Sequence, residues 1–244
     1  MTFNMKQTCL ATVACGLAAS SAFAHEGLDV SPYVQDGKII VGGFDDTAGT
    51  LQPTESVFLL ELEAAEGFGI DAPALNLQAG AGFDPGVLLG MNFTSELFFW
   101  DGTGDVDFAP TADGSRIRIF QGIDTGVYLN GDAPAGDYYW LRTNSNGLGH
   151  EHANSQYYGP DGNGTNVVGT VTPGIYYALG QVLDEAGNLT PSDEIALLYN
   201  TGGETFEAAH EEAAAYLRTS LVPEPTSLAL LAIGGLVSLR RRSR

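Results

Sequence analysis

Short apolar runs between turn-forming residues constrain the fold of this chain more than any other feature. Apolar segments alternate with Gly, Asp, Asn and Pro, and glycine alone contributes 32 of the 244 residues. Closely spaced runs of this kind are typical of antiparallel strands rather than of alternating strand–helix units. The predicted strands cover 38–41, 56–62, 87–93, 96–100, 115–120, 137–142, 167–171, 175–182 and 194–199. We therefore predict an all-β fold, an antiparallel β-sandwich of about 8–10 strands.

Local patterns support individual elements of this prediction. Asp36-Gly37 directly precedes the apolar run 38–41, and an Asp-Gly pair is a strong signal for a two-residue hairpin turn. Within 115–120, Ile117 and Ile119 alternate with arginines, as expected for a strand with one buried face.

One helix is predicted near the C-terminus, over Glu204–Arg218. The segment is rich in Ala and Glu, and four residues recur at helical spacing on one side: Phe206, His210, Ala213 and Leu217. Acidic residues lie early in the segment and Arg218 lies last, which suits the helix dipole. We expect residues 204–221 either to pack on the sandwich or to form a stalk.

The N-terminus has the pattern of a secretory signal peptide over 1–24. Lys6 precedes an apolar run from Cys9 to Ala19, and Ala22-Phe23-Ala24 is a small-x-small cleavage site for signal peptidase. Cleavage there makes His25 the new N-terminus, whereas Thr12-Val13-Ala14-Cys15 offers an alternative lipoprotein site. Both cysteines lie within 1–24, so we expect no disulfide in the exported domain, 25–203.

The C-terminal segment, 222–244, combines three elements in order. The tripeptide Pro223-Glu224-Pro225 is followed by an apolar run, 226–239, and then by Arg240, Arg241 and Arg242. This arrangement resembles the PEP-CTERM sorting signal. The resemblance implies export, a transient inner-membrane anchor and processing by the membrane protease-transpeptidase exosortase. An ordinary C-terminal membrane anchor is the alternative reading, since positive charge after an apolar run resists translocation in either case.

The charge of the chain excludes one class of partner. Its formal net charge is −20, with 10 basic and 30 acidic residues, and half of the basic residues lie in the two terminal signals. Binding of nucleic acid requires a basic face, so nucleic acid is not expected as a partner. A strongly acidic domain attracts cations instead.

The sharpest candidate site is His150-Glu151-His152. Side-chain direction repeats every two residues in an extended segment, so His150 and His152 point to one side and can take two corners of a zinc site. The third ligand is left open between His25, Glu151 and a carboxylate from another loop. The surrounding segment, 144–158, is polar and is predicted to be an exposed loop, and two solvated histidines are the plain alternative.

A second resemblance concerns the body of the chain. It resembles the choice-of-anchor M domain of bacterial surface proteins and a related PEP-CTERM group induced by zinc limitation. The matching pieces are His25 with Asp29-Val30, Asp36-Gly37-Lys38, His150-Glu151-His152 and Pro173-Gly174-Ile175-Tyr176. The spacing departs from that pattern after His25 and over 159–169. The resemblance implies an exported β-sandwich linked to zinc or manganese handling.

Calcium is a weaker expectation. Residues 101–107 place oxygen ligands at alternate positions and 161–165 are similar, but turns between strands use the same residues. Catalytic motifs such as a nucleophile elbow, a phosphate loop or His-Glu-x-x-His do not occur.

The sequence thus predicts an exported, surface-destined, non-enzymatic protein whose sandwich binds a divalent metal, zinc first, through His150, His152 and His25. The alternative is an extracellular matrix or adhesion module that binds calcium or exopolysaccharide without a defined site. A secreted carbohydrate-active enzyme is the third possibility.

Overall fold

Strands make up most of the regular structure. The computed structural model describes residues 28–62, 64, 67–122, 126–164 and 167–221. The predicted signal peptide, His25 and the sorting signal lie outside these residues. The described strands are β1 Asp29–Gln35, β2 Lys38–Asp45, β3 Thr50–Gln52, β4 Val57–Glu61, β5 Gly69–Ile70, β6 Ala74–Leu77, β7 Leu88–Phe93, β8 Phe98–Trp100, β9 Ala109–Pro110, β10 Arg116–Phe120, β11 Val127–Leu129, β12 Gly136–Arg142, β13 Gly149–His152, β14 Asn154–Tyr158, β15 Ile175–Asp184 and β16 Ile195–Asn200.

These strands form three sheets. Sheet 1 has the order β13-β6-β1-β2-β3, sheet 2 the order β11-β10-β14-β5, and sheet 3 the order β12-β7-β15-β16-β4, with β8 beside β15 and β9 beside β8. Most neighbours are antiparallel, and the parallel pairs are β1 with β6 and β4 with β16. The predicted all-β, mainly antiparallel class is confirmed, although the described residues form more strands than predicted.

Strand β16 lies at the centre of the packing, because all six of its residues are buried. Ile195, Leu197 and Tyr199 face the main core, which also takes in side chains of sheets 1 and 2. Ala196 and Leu198 point the other way, into a second core beneath a helix. Alternation between two apolar environments explains why this strand reads as a continuous apolar run.

That helix, α1, spans Glu207–Leu221 and follows a short 3₁₀ helix, Gly203–Phe206. Its buried residues are His210, Ala213, Ala214 and Leu217. Its apolar side packs on β16 and β4, so the helix lies against sheet 3, and the predicted helix is confirmed. Among the described residues no helix combines the length and the apolar character that a membrane crossing requires.

Two local predictions were wrong. Residues 167–171 form no strand, because they bond to the preceding residues of the same loop and not to a neighbouring strand. The Gly159 N–H donates to the Val168 carbonyl, and Asp161 accepts from Thr170. Residues 144–158 are not one exposed loop, since they contain β13 and β14, and Tyr157 is fully buried. In β14 Ser155, Tyr157 and Tyr158 are buried, which the polar composition of the segment does not reveal.

We predict that Leu217→Ala destabilises the domain by about 2–4 kcal/mol, because Leu217 is 3% exposed and its removal leaves a cavity between α1 and sheet 3. Thermal or denaturant unfolding measures the change. The exposed Glu212→Ala on the same helix is the control and should change stability by no more than about 0.5 kcal/mol. Equal effects of the two variants would contradict the packing described for α1.

Candidate metal centre

The His-x-His segment lies on the edge strand of sheet 1. β13 pairs with β6, with His150 opposite Asn76 and His152 opposite Ala74. Directly paired residues of antiparallel strands point to the same face, so both histidines share the face of Asn76. Glu151 lies opposite Leu75, on the other face, and accepts a hydrogen bond from Gln121 at 3.2 Å. The structure therefore does not bring Glu151 together with the two histidines.

Two aspartates meet His150 on this face. The His150 Nε2 atom lies 3.3 Å from the Asp29 Oδ2 atom and 4.0 Å from the Asp46 Oδ2 atom. One potential ligand atom from each of the three residues lies within 4.8 Å of the others. No other group of this kind occurs among the described residues. The sequence pointed to His150 but not to either aspartate as a ligand.

The hairpin of β1 and β2 explains how the aspartates converge. Its turn, Asp36-Gly37, has positive φ angles of 52° and 77°, as the predicted two-residue turn requires. The register that follows pairs Asp29 with Phe44. Asp46 comes two residues after Phe44, so it returns to the beginning of β1, where Asp29 lies. The hairpin thereby holds Asp29 and Asp46 next to each other.

A buried amide connects the two carboxylates. The Asn76 Nδ2 atom donates to Asp29 Oδ2 at 2.9 Å and to Asp46 Oδ1 at 3.1 Å. Its Oδ1 atom accepts from Gln78 Nε2 at 2.6 Å. Asn76 therefore acts behind the site as an orienting group, in the way outer-shell partners orient metal ligands.

Burial and the proximity of two carboxylates disfavour the ionised form of Asp29. Burial raises the pKa of Asp29 above its ordinary value, and the neighbouring Asp46 raises it further, while the hydrogen bond from Asn76 and the charge of His150 oppose the rise. The Asp29 side chain is 16% exposed, against 41% for His150 and 53% for Asp46. The site is thus closed on the side of Asp29 and open to solvent on the side of Asp46.

His152 lies beside this group without belonging to it. Its ring centroid is 4.7 Å from that of His150. Its Nδ1 atom is 2.8 Å from the Asp71 carbonyl oxygen, which can only accept, so Nδ1 donates this hydrogen bond and, in the neutral ring, Nε2 carries the lone pair. An imidazole oriented in this way is typical of a metal ligand. His25 lies outside the described residues.

The three residues fit a divalent metal. An ion with bonds of 2.0–2.1 Å in a tetrahedral site separates its ligand atoms by about 3.4 Å, close to the 3.3 Å between His150 and Asp29. One imidazole and two carboxylates are ligands that zinc accepts, and the solvent-exposed side leaves room for a further ligand. The spacing to Asp46 requires only a small side-chain adjustment.

In the segments predicted to bind calcium, some acidic side chains accept hydrogen bonds from their own turn or loop, and calcium binding there stays a prediction. The Asp101 carboxylate accepts from the backbone N–H and the hydroxyl of Thr103, which lowers its pKa and closes a turn. Asp105 and Asp107 belong to no metal-binding group of the described residues. The Asp161 carboxylate accepts from the backbone N–H and the hydroxyl of Thr170, and Thr165 lies outside the described residues.

The fold and the site define a β-sandwich-like domain that carries a cluster of metal-ligand type on sheet 1 and a C-terminal helix packed on sheet 3. The chain carries a PEP-CTERM protein-sorting motif, which a family model matches at residues 221–243. This confirms the sorting signal expected from the sequence and indicates a protein that is exported, directed to the cell surface and processed by exosortase. No curated protein and no solved structure matches the chain. The resemblance of the body to choice-of-anchor M domains therefore stays a prediction.

We predict that Asn76→Ala lowers the stability of the metal-free domain by about 1–3 kcal/mol, because the two carboxylates lose their shared donor. Denaturant unfolding in the presence of a chelator measures the change. Gln78→Ala is the control and should cost less, because Gln78 reaches the carboxylates only through Asn76. A larger effect of the Gln78 variant would contradict the orienting role of Asn76.

Proposed function

We propose that this protein is a non-enzymatic surface module that binds a divalent metal, zinc first, through Asp29, Asp46 and His150. The observation that supports the proposal is the convergence of one imidazole from β13 and two carboxylates, one from β1 and one from the turn after β2, with Nε2–Oδ2 distances of 3.3 and 4.0 Å. The sorting motif supports delivery of this module to the cell surface.

His152 is the proposed fourth ligand. Its Nδ1 atom donates to the Asp71 carbonyl, which leaves Nε2 of the neutral ring as the ligand atom, and a change of ring position would bring this atom to an ion bound at His150, whose ring centroid is 4.7 Å away. Without that change, a water molecule takes the open position, as in zinc sites with three protein ligands. His25 remains a further candidate from the sequence.

The ligand chemistry favours zinc over calcium. Calcium prefers six to eight oxygen ligands, and an imidazole nitrogen is a poor substitute. Manganese accepts a mixture of carboxylates and imidazole, so it is the second metal to test. Metal ligands must be deprotonated, and the pKa of Asp29 is raised, so a metal must displace the proton that Asp29 binds in acid and affinity should fall as the pH falls.

We predict that the purified protein binds about one zinc ion per chain and that Asp29→Asn or His150→Ala lowers the affinity by at least about 100-fold. Titration calorimetry with a competing chelator and metal analysis after dialysis measure these effects. Asn76→Ala should cost about 10–100-fold, as loss of an outer-shell partner does.

Asp107→Asn is the matched control, because it removes an exposed carboxylate outside the site and should leave zinc binding unchanged. Equal affinity in the wild-type and His150→Ala proteins would overturn the proposed site. Absence of zinc, with melting unaffected by chelation, would favour the matrix or adhesion module. Binding of exopolysaccharide by such a zinc-free protein would support that alternative directly.

A separate prediction concerns processing. Replacing Pro223, Glu224 and Pro225 by alanine should leave the C-terminal segment attached, because this tripeptide is part of the matched sorting motif that directs processing. Mass spectrometry of the C-terminal peptide compares this variant with the wild type. Ser243→Ala, in the same tail but outside the tripeptide, should be processed normally. Normal trimming of the tripeptide variant would contradict recognition of this motif.

A further inference from the structure

A buried histidine joins α1 to sheet 3 and shares no contact residue with the proposed metal site in sheet 1. His210 is 2% exposed. Its Nδ1 atom lies 3.2 Å from the Glu61 Oε1 atom at the end of β4, and its Nε2 atom lies 3.0 Å from the Leu198 carbonyl oxygen of β16. The side chain therefore spans the gap between the helix and the two strands beneath it.

Both partners of the ring are hydrogen-bond acceptors. A backbone carbonyl can only accept, and an ionised carboxylate can only accept, so the two contacts are both satisfied when both ring nitrogens carry protons. A neutral imidazole has one N–H and one lone pair. With a neutral ring, one of the two contacts places a lone pair against an oxygen.

Glu61 is kept in its ionised form. Burial alone would raise its pKa, but the hydrogen bonds from His210 and Asn200 outweigh burial and lower it. The Asn200 Nδ2 atom lies 3.2 Å from each of the two carboxylate oxygens. The carboxylate thus remains an acceptor that favours the charged imidazole.

The other groups around His210 do not replace this partner. Among the described residues, the hydrogen-bond partners of the ring are Glu61 at the end of β4 and the Leu198 carbonyl of β16, while the neutral Asn200 amide contacts Glu61. On α1 itself, Glu207 and Glu211 are exposed to solvent. The two ring nitrogens of His210 therefore contact only the Glu61 carboxylate and the Leu198 carbonyl among the hydrogen-bond partners described.

We propose that His210 makes the docking of α1 on sheet 3 depend on pH, with the helix bound firmly while the ring is doubly protonated and more loosely once it loses a proton. The sign follows from the acceptors, since the stabilising contact exists below the pH at which the ring becomes neutral and is lost above it. Because α1 ends at Leu221 and the matched sorting motif begins at residue 221, this contact sets how firmly the helix before the motif is docked.

Hydrogen exchange of the α1 amides, corrected for the intrinsic pH dependence of exchange, tests the proposal on the full chain. The two pH values are about 5.5 and about 8.5, on either side of the ordinary histidine range. From the lower to the higher value, the opening constant of wild-type α1 should rise about tenfold or more relative to that of β16. His210→Gln removes the titrating group and should show similar opening at both pH values.

Two further variants separate this mechanism from general loosening. Glu61→Gln should reduce the pH dependence, because an amide can accept from an N–H or donate to a lone pair. Glu211→Gln changes an exposed carboxylate on the same helix and should keep the wild-type dependence. The proposal is overturned if wild-type opening does not change with pH, or if His210→Gln shows the same change as the wild type.

Discussion

Burial of β16 on both faces is the constraint on which the rest of the architecture depends. Ile195, Leu197 and Tyr199 close the main core, while Ala196 and Leu198 form the floor for α1. A strand buried on both sides cannot shift by one residue without exchanging these two sets of contacts. Its parallel pairing with β4 places Glu61 opposite Asn200, and its antiparallel pairing with β15 extends the sheet toward β7. The sheet that supports the helix is therefore fixed in register.

The sequence predicts the class of fold well and its details less well. Long strands such as β7 and β15 show apolar runs between turn signals, and α1 shows a clear helical period. Strands of two or three residues, such as Gly69–Ile70 and Ala109–Pro110, are too short to show any period, so the strand number is underestimated. Residues 167–171 have the composition of a strand, yet their backbone groups find partners within their own loop.

The sequence reveals the histidines of the candidate site but not its aspartates. Two histidines separated by one residue share a strand face whatever the rest of the chain does, so His150 and His152 are visible in the sequence. The aspartates depend on sheet register: the hairpin turn returns Asp46 to Asp29, and β6 carries Asn76 between β1 and β13. In a chain with 30 acidic residues, no local signal distinguishes these two from the others.

Glu61 and Asp29 are two partly buried carboxylates of this acidic chain, and their negative charges are compensated to different extents. Most of its acidic groups can be solvated, but Glu61 and Asp29 cannot be fully hydrated, and a charge in that position needs a compensating partner. Glu61 has the imidazole of His210 and two contacts from Asn200, and its pKa is lowered. Asp29 has one amide donor, an exposed histidine and a second carboxylate, and its pKa is raised. The first carboxylate is compensated within the fold, whereas the second is not, and a divalent cation between Asp29, Asp46 and His150 would supply the missing positive charge.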